Sequence, residues 1–320
     1  MEYTASEQRY ETMKYWRVGK SGLLFPILSL GFWHNFGTND NYGNMKAMCF
    51  TAFDHGITQF DLANNYGPEP GSAEKNFGRI LKEDLGVYRD ELIITTKAGY
   101  DMWEGPYGNW GSRKYLTASL DQSLKRMNLE YVDLFYSHRY DPDTPLEETL
   151  QAMADIVKQG KALYLGLSRW PLEALKFADK YLRERDVPIL IYQGRLNLLD
   201  RSPQEEGILD YCAEHGIGFI SFSPLAQGLL TDRYLNGIPS DSRMAKEHFL
   251  KSKDLTPELL KKLKAWNEQA GKRNETLAEM ALSWILSQKG VTSVLVGASS
   301  TEQLEKNMKC VHAEPFSSEI

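Results

Sequence analysis

Four side chains in this sequence have the types and positions needed for acid–base work on a carbonyl. They are Asp61 and Tyr66 in FDLANNYG (60–67), Lys97 in TTKAG (95–99) and His138 in YSHR (136–139). Taken singly, each has an ordinary reading, since a charge at a strand end is usually a solvated rim group and a lone histidine a satisfied polar residue. Their combination is what carries the argument. A phenol, with a pKa of about 10, is a weak proton donor at neutral pH, and shifting it substantially takes about 3 to 4 kcal/mol. An ammonium at Lys97 beside Tyr66 favours the phenolate, a carboxylate at Asp61 holds that ammonium, and His138 orients the carbonyl through a hydrogen bond. The chemistry is proton donation during reduction of a carbonyl.

These residues need elements that bring them to one place. Short apolar, β-branched runs begin near Pro26, Ile57, Leu92, Val132, Ala162, Ile189, Gly218 and Ser293, and helical patterns lie between them, including Leu116 to Met127, Leu146 to Lys158, Leu172 to Leu182 and Leu277 to Leu286. Continuous apolar strands alternating with helices imply a parallel sheet covered on both faces. An open dinucleotide-binding sheet would place GxGxxG after its first strand, where this chain has LGFWHNFG (30–37). The expectation is therefore α/β, a (β/α)8 TIM barrel with long loops at the C-terminal face, in one domain over residues 1–320; an N-terminal β-hairpin is expected ahead of the barrel, though no residue pattern marks it. Reactive groups in such a barrel lie at strand C-terminal ends and the loops after them, where Asp61, Tyr66, Lys97 and His138 fall. Two long connections interrupt the rhythm: Gly99 to Gly111, rich in Gly and aromatics, and Leu225 to Thr256. Trp33, Tyr100, Trp103 and Trp110 have two readings of equal weight, as the enclosure of a compact substrate or as loop packing.

Composition narrows the class. A net charge of −6 argues against general affinity for nucleic acid or anionic membranes. Three widely spaced cysteines, Cys49, Cys212 and Cys310, suggest neither a disulfide framework nor a zinc site, and with no HxH or HExxH spacing a metal-dependent barrel hydrolase is the weakest rival. The charged, aromatic N-terminus is unlike a signal peptide and no run is long enough to span a bilayer, so the expected location is cytoplasmic.

The motifs FDLANNYG, TTKAG and YSHR resemble the aldo-keto reductase superfamily, whose Asp, Tyr, Lys and His tetrad falls on Asp61, Tyr66, Lys97 and His138. The resemblance continues through GKALYLGLS (160–168), SFSPLAQGLL (221–230) and VTSVLVGASSTEQLEKN (291–307), covering nearly the whole chain from about residue 14. FDLANNYGPEPGSAE, KAGYDMWEGPYG and NGIPSDSRM look most like the bacterial L-glyceraldehyde 3-phosphate reductase branch, related to potassium channel β subunits.

The resemblance implies NADPH/NADP+ extended across the barrel mouth. Trp33, Asp61, Ser168, Arg169 and Gln193 would border the nicotinamide half, with Ser168 and Gln193 bonding its carboxamide and Phe222 stacking on the ring. Ser223, Pro224, Leu225, Gln227 and Gly228 would line the pyrophosphate, Arg233 and Arg243 would approach phosphates, and Gly297, Ser299, Gln303 and Asn307 match the adenosine side. Trp33, Tyr66, Trp103 and His138 would border a small aldehyde such as L-glyceraldehyde 3-phosphate or methylglyoxal, with Arg139 or Arg113 as contacts for a phosphate. Lys306 and Ser300 stand where relatives carry Glu and Arg, and Leu196 replaces an aromatic, which alters the adenine side and one wall. A homo-oligomer, tetramer or larger, is implied as well. The alternative is an NADPH-binding regulatory subunit resembling the channel β subunits, with slow turnover.

Overall fold

The computed structural model describes residues 3–240, 242, 244–245, 250–314 and 316. A hairpin of β1 (Tyr15–Arg17) and β2 (Leu24–Pro26) precedes eight strands: β3 (Leu28–Gly31), β4 (Gln59–Asp61), β5 (Ile93–Ala98), β6 (Val132–Ser137), β7 (Ala162–Ser168), β8 (Ile189–Arg195), β9 (Gly218–Phe222) and β10 (Val291–Val296). These eight pair in parallel in chain order, and β10 pairs back onto β3 to close the barrel. The helices are α1 (Tyr42–Asp54), α2 (Ser72–Glu83), α3 (Arg113–Met127), α4 (Leu146–Lys158), α5 (Leu172–Arg183), α6 (Ser202–Glu205), α7 (Ile208–His215), α8 (Pro257–Lys272), α9 (Leu277–Leu286) and α10 (Thr301–Met308). The chain is a (β/α)8 barrel, as its sequence pattern implies, and the expected N-terminal hairpin precedes it. Among the described residues no helix is long and apolar enough to cross a membrane.

Burial explains why the strands read as unbroken apolar runs. Every residue of β5 and β10 is buried, because one face packs into the barrel and the other against helices. Two differences from the sequence pattern have local causes. The apolar stretch Pro26 to Leu30 divides at Ile27, with Pro26 ending the hairpin and Leu28 opening the barrel. Helix α3 starts three residues before Leu116 because the Ser112 hydroxyl accepts a hydrogen bond from the Tyr115 N–H and caps it. At α9, Thr276 and Glu279 form a reciprocal capping box.

The barrel interior is filled in a way that leaves polar groups at one end. Val18 and Phe25 of the hairpin region pack with inward residues Ile93, Leu134, Leu190 and Ile191, forming an apolar plug at the strands' N-terminal end. Above it, Tyr136 lies fully buried across the barrel, and β7 makes room for it: a Cβ on Gly166 would lie 2.4 Å from the Tyr136 ring and 3.1 Å from the Ile191 carbonyl oxygen. The same ring has the Lys97 ammonium 5.6 Å from its centroid, so the fit at Gly166 bears on the polar end. Gly166→Ala is expected to lower the unfolding free energy by about 2 kcal/mol through overpacking, read as a lower urea midpoint at unchanged slope. An unchanged midpoint would mean that the ring can move aside at no cost.

Candidate active site

The strand ends converge as the sequence positions require. Asp61 ends β4, Lys97 lies one residue before the end of β5, and His138 follows β6 directly, with its N–H bonded to the Ala98 carbonyl at 2.9 Å. Lys97 is fully buried, and its Nζ donates to Asp61 Oδ2 at 2.5 Å, to the Leu62 carbonyl oxygen at 2.7 Å and to the Tyr66 hydroxyl at 3.3 Å. One ammonium thus uses its three hydrogens on a carboxylate, a backbone carbonyl and a phenol. The Tyr66 ring meets the His138 ring edge-on at 5.7 Å, and Tyr100 meets His138 from another side at 4.7 Å. Asp61 is held in turn, accepting from the Thr95 hydroxyl at 2.9 Å and from the Gln193 amide at 3.2 Å.

Burial dominates the electrostatics. It pushes the Tyr66 phenol well above its ordinary pKa, and the negative charge of Asp61 and the neighbouring Tyr100 add to the rise. Acidification of Tyr66 at rest, expected from the residue types alone, is therefore reversed: the resting phenol holds its proton. The 3.3 Å contact from Lys97 acts on the phenolate, which an ammonium at that distance favours. Burial also lowers the pKa of Lys97, while Asp61 and then Glu74 push it back up. His138 is driven well below its usual range by burial and by the cations Lys97, Arg169 and Arg139, which makes it a neutral imidazole at pH 7. Its Nδ1 is buried with no hydrogen-bond partner.

Residues 27–320 match the sequence model of the Aldo/keto reductase family. The chain belongs to the aldo/keto reductase family. A protein named L-glyceraldehyde 3-phosphate reductase from Escherichia coli O157:H7 is 56% identical over 100% of this chain and 93% of its own length. The protein of the same name from Escherichia coli strain K12 is also 56% identical, over 99% of this chain and 93% of its own length. A probable voltage-gated potassium channel subunit beta from Arabidopsis thaliana is 37% identical over 95% of this chain and 93% of its own length. Membership makes this aldo/keto reductase an oxidoreductase.

The positions that the resemblance points to for a nucleotide fall on the loops that follow the strands. Ser168 and Gln193 are buried and paired in register across β7 and β8, but the Gln193 amide is turned onto Asp61 here. Arg169, just past β7, has φ of 59° and donates to the Tyr100 hydroxyl at 3.3 Å. After β9, which ends at Phe222, the chain coils tightly: Ser223, Ala226 and Gln227 all take positive φ, between 46° and 59°, and Gly228 follows at 99°. Pro224 is buried and Leu225 half-buried in this turn. Gln227 Oε1 is buried without a partner, as is Asn307 Nδ2 on α10. A Cβ on Gly297 would meet nothing within 4 Å, so backbone there is open, whereas Ser299 and Gln303 bond to each other at 2.8 and 2.9 Å. Arg233 is exposed, and Arg243 lies outside the described residues. Trp33 is 39% exposed, and Trp103 packs against Tyr115 at 5.2 Å. Among the described residues no group of three or more His, Cys, Asp or Glu is placed to hold a metal ion.

Several contributors lie beyond what spacing reveals. Fully buried Glu74 on α2 accepts from the Thr96 hydroxyl at 2.5 Å and from Arg126 Nε at 2.6 Å, tying α2 and α3 to the strand that carries Lys97. Tyr115, in the first turn of α3, clasps two loops: its hydroxyl accepts from Asn64 Nδ2 at 3.0 Å and donates to the Tyr100 carbonyl. The only trace of these in the sequence is alternation, since Thr95 and Lys97 share one face of β5 and Thr96 takes the other.

Two measurements check the site's physics without using turnover. Removing one partner of a buried ion pair costs about 3 to 5 kcal/mol, so Asp61→Asn and Lys97→Met should each lose that much stability in urea unfolding. The combined Asp61→Asn/Lys97→Met change should lose much less than their sum, and additive losses would show that the two groups are independent. For His138 the folded pKa lies below the unfolded value of about 6.5, so its contribution is present above that pH and is lost as pH falls through the folded value. Stability should fall between pH 6.5 and 5 with a slope of up to about 1.4 kcal/mol per pH unit that His138→Gln removes. Parallel pH profiles for the two proteins would contradict a neutral buried imidazole.

Proposed function

We propose that this chain, acting as one domain over residues 1–320, is an NADPH-dependent reductase of short aldehydes in which Tyr66 donates the proton. The observation that carries the reading is the single buried ammonium of Lys97 bonded at once to Asp61, the Leu62 carbonyl and the Tyr66 hydroxyl. A phenol that is neutral at pH 7 is in the right state to donate, and the phenolate left behind sits against a cation whose counter-charge is already in place. His138, as a neutral imidazole, holds the substrate oxygen by hydrogen bond without competing as an acid.

The nucleotide site is supported by chemistry rather than by a glycine motif. Gln227 Oε1 and Asn307 Nδ2 are a buried acceptor and donor lacking partners, and the backbone at Gly297 and Gly228 is uncrowded. Such features fit a polar ligand with amide and phosphate groups. Trp33, Asp61, Ser168, Arg169, Gln193 and Phe222 would hold the nicotinamide half, Ser223, Pro224, Leu225, Gln227 and Gly228 the pyrophosphate, and Arg233, Arg243, Gly297, Ser299, Gln303 and Asn307 the adenosine phosphate side. When bound, NADPH supplies the hydride. Gln193 Nε2 rests on Asp61 Oδ1, which also accepts from the Thr95 hydroxyl, so Asp61 stays hydrogen-bonded if Gln193 turns toward a carboxamide.

The substrate in this reading is L-glyceraldehyde 3-phosphate or a methylglyoxal-like aldehyde, bordered by Trp33, Tyr66, Trp103 and His138. The higher identity to proteins named reductases than to a probable channel subunit favours turnover over a regulatory role. A cytoplasmic homo-oligomer of four or more subunits belongs to the same proposal and rests on resemblance. Tyr66→Phe should lower kcat by about 1000-fold while the Kd for NADPH, followed by nucleotide fluorescence, stays within about threefold. Turnover near that of the unaltered enzyme would remove Tyr66 from the mechanism.

A further inference from the structure

The wall of the site beyond His138 carries positive charge that the proton chemistry leaves unused. Arg139 follows His138 directly, and its guanidinium carbon lies 3.5 Å from the Trp110 ring centroid and 4.3 Å from that of Tyr100. Its Nε donates to the Gly99 carbonyl and its Nη2 to Asn109 Oδ1, each at 2.7 Å. All these partners are neutral. Among the described residues no carboxylate pairs with Arg139 or with Arg169, whereas Arg113, the other candidate for a substrate phosphate, pairs with Asp155 at 2.5 Å. A guanidinium has five N–H donors, and the Nη1 pair of Arg139 is left for a ligand.

The position of this cation is fixed. Gly99 lets the start of the loop press against the end of β6: a Cβ there would lie 3.0 Å from His138 Cβ, 3.2 Å from the Arg139 nitrogen and 3.4 Å from Arg139 Cγ. Tyr100 stands edge-on to His138 and accepts from Arg169, so the two guanidinium groups flank one ring that itself abuts the imidazole. Both cations act on His138, and the buried Nδ1 of that imidazole has no partner. A cation stacked between two aromatic rings, without a counter-ion and one ring away from the carbonyl-orienting group, is prepared for an anion at the far end of the same ligand. Little side-chain entropy remains to be lost when it binds one, and an unpaired guanidinium gains more from a phosphate's geometry than an ammonium would.

We propose that Arg139, clamped between Tyr100 and Trp110, is the anion-recognition residue of the substrate pocket and takes the terminal phosphate of a short phosphorylated aldehyde. The proposal rests on the reading that Tyr66 and His138 face the aldehyde oxygen. Arg169 adds charge to the same wall, and Asn109 and Gly99 orient the fork.

The test uses the full chain with NADPH and compares glyceraldehyde 3-phosphate with glyceraldehyde for the unaltered enzyme, Arg139→Met and Arg139→Lys. The unaltered enzyme should prefer the phosphorylated aldehyde, and inorganic phosphate alone should inhibit it competitively against that substrate. In Arg139→Met the ratio of kcat/KM between the two aldehydes should drop by about 30-fold, mostly through KM, and phosphate inhibition should disappear. Arg139→Lys keeps the charge but loses the planar fork, and should recover part of the ratio. An unchanged ratio, or phosphate inhibition that survives in Arg139→Met, would overturn the assignment. Retained NADPH binding by the variants guards against misfolding. Failure of the underlying reading shows separately, as full turnover by Tyr66→Phe, because the substrate ratio speaks only to the phosphate.

Discussion

A lysine ammonium with no solvent contact has to be neutralised and fully hydrogen-bonded where it stands, and the mouth of this barrel is arranged around that requirement. The cost of taking Lys97 out of water is met by Asp61 at 2.5 Å, and the remaining hydrogens go to the Leu62 carbonyl and the Tyr66 hydroxyl. Asp61 then needs donors of its own, which Thr95 and Gln193 supply, and Thr95 is met by the Gln59 amide at 3.3 Å. Strands β4, β5 and β8 are thereby bound together by one buried polar network around Lys97 and Asp61. Such a network gives little net stability, yet it fixes geometry, because a half-satisfied version is far worse than a complete one.

That constraint orders the electrostatics of the neighbours. Burial keeps the Tyr66 phenol protonated and the His138 imidazole uncharged, so the resting site presents one donor and one neutral ring next to a compensated ion pair. The ammonium has little work to do until negative charge appears on the phenol oxygen, which is when a cation in a dry site has its greatest effect. Preorganisation of this kind needs no movement of the chain at the moment of reaction.

Much of this was legible in the sequence because the relevant signals are short-range. Strand-length apolar runs and helical periodicity specify the alternation, and Asp61, Lys97 and His138 announce themselves by standing at strand ends. What stayed hidden depends on distance along the chain or on dielectric. The bond between Glu74 and Arg126 joins residues 52 positions apart, and nothing in either local sequence marks it. The positive φ values at Ser223, Ala226 and Gln227 fall on residues that carry no glycine-like signature, so the tight coil after β9 is imposed by its surroundings. Residue types alone point the Tyr66 shift downward and the structure points it upward, because type gives the charges nearby but not the depth of burial.

The Tyr115 clasp separates two parts of the rim that differ in how freely they can change. By holding Asn64 on one side and the Tyr100 carbonyl on the other, one phenol anchors both loops at their roots. Beyond that root, residues 101–110 form a largely exposed excursion that meets the rest of the rim through Trp103 on the Tyr115 ring and through Asn109 and Trp110 on Arg139. A change confined to that segment is therefore felt first at Arg139 and only afterwards at the backbone beside Tyr66, so what the rim admits and how the proton moves can vary separately.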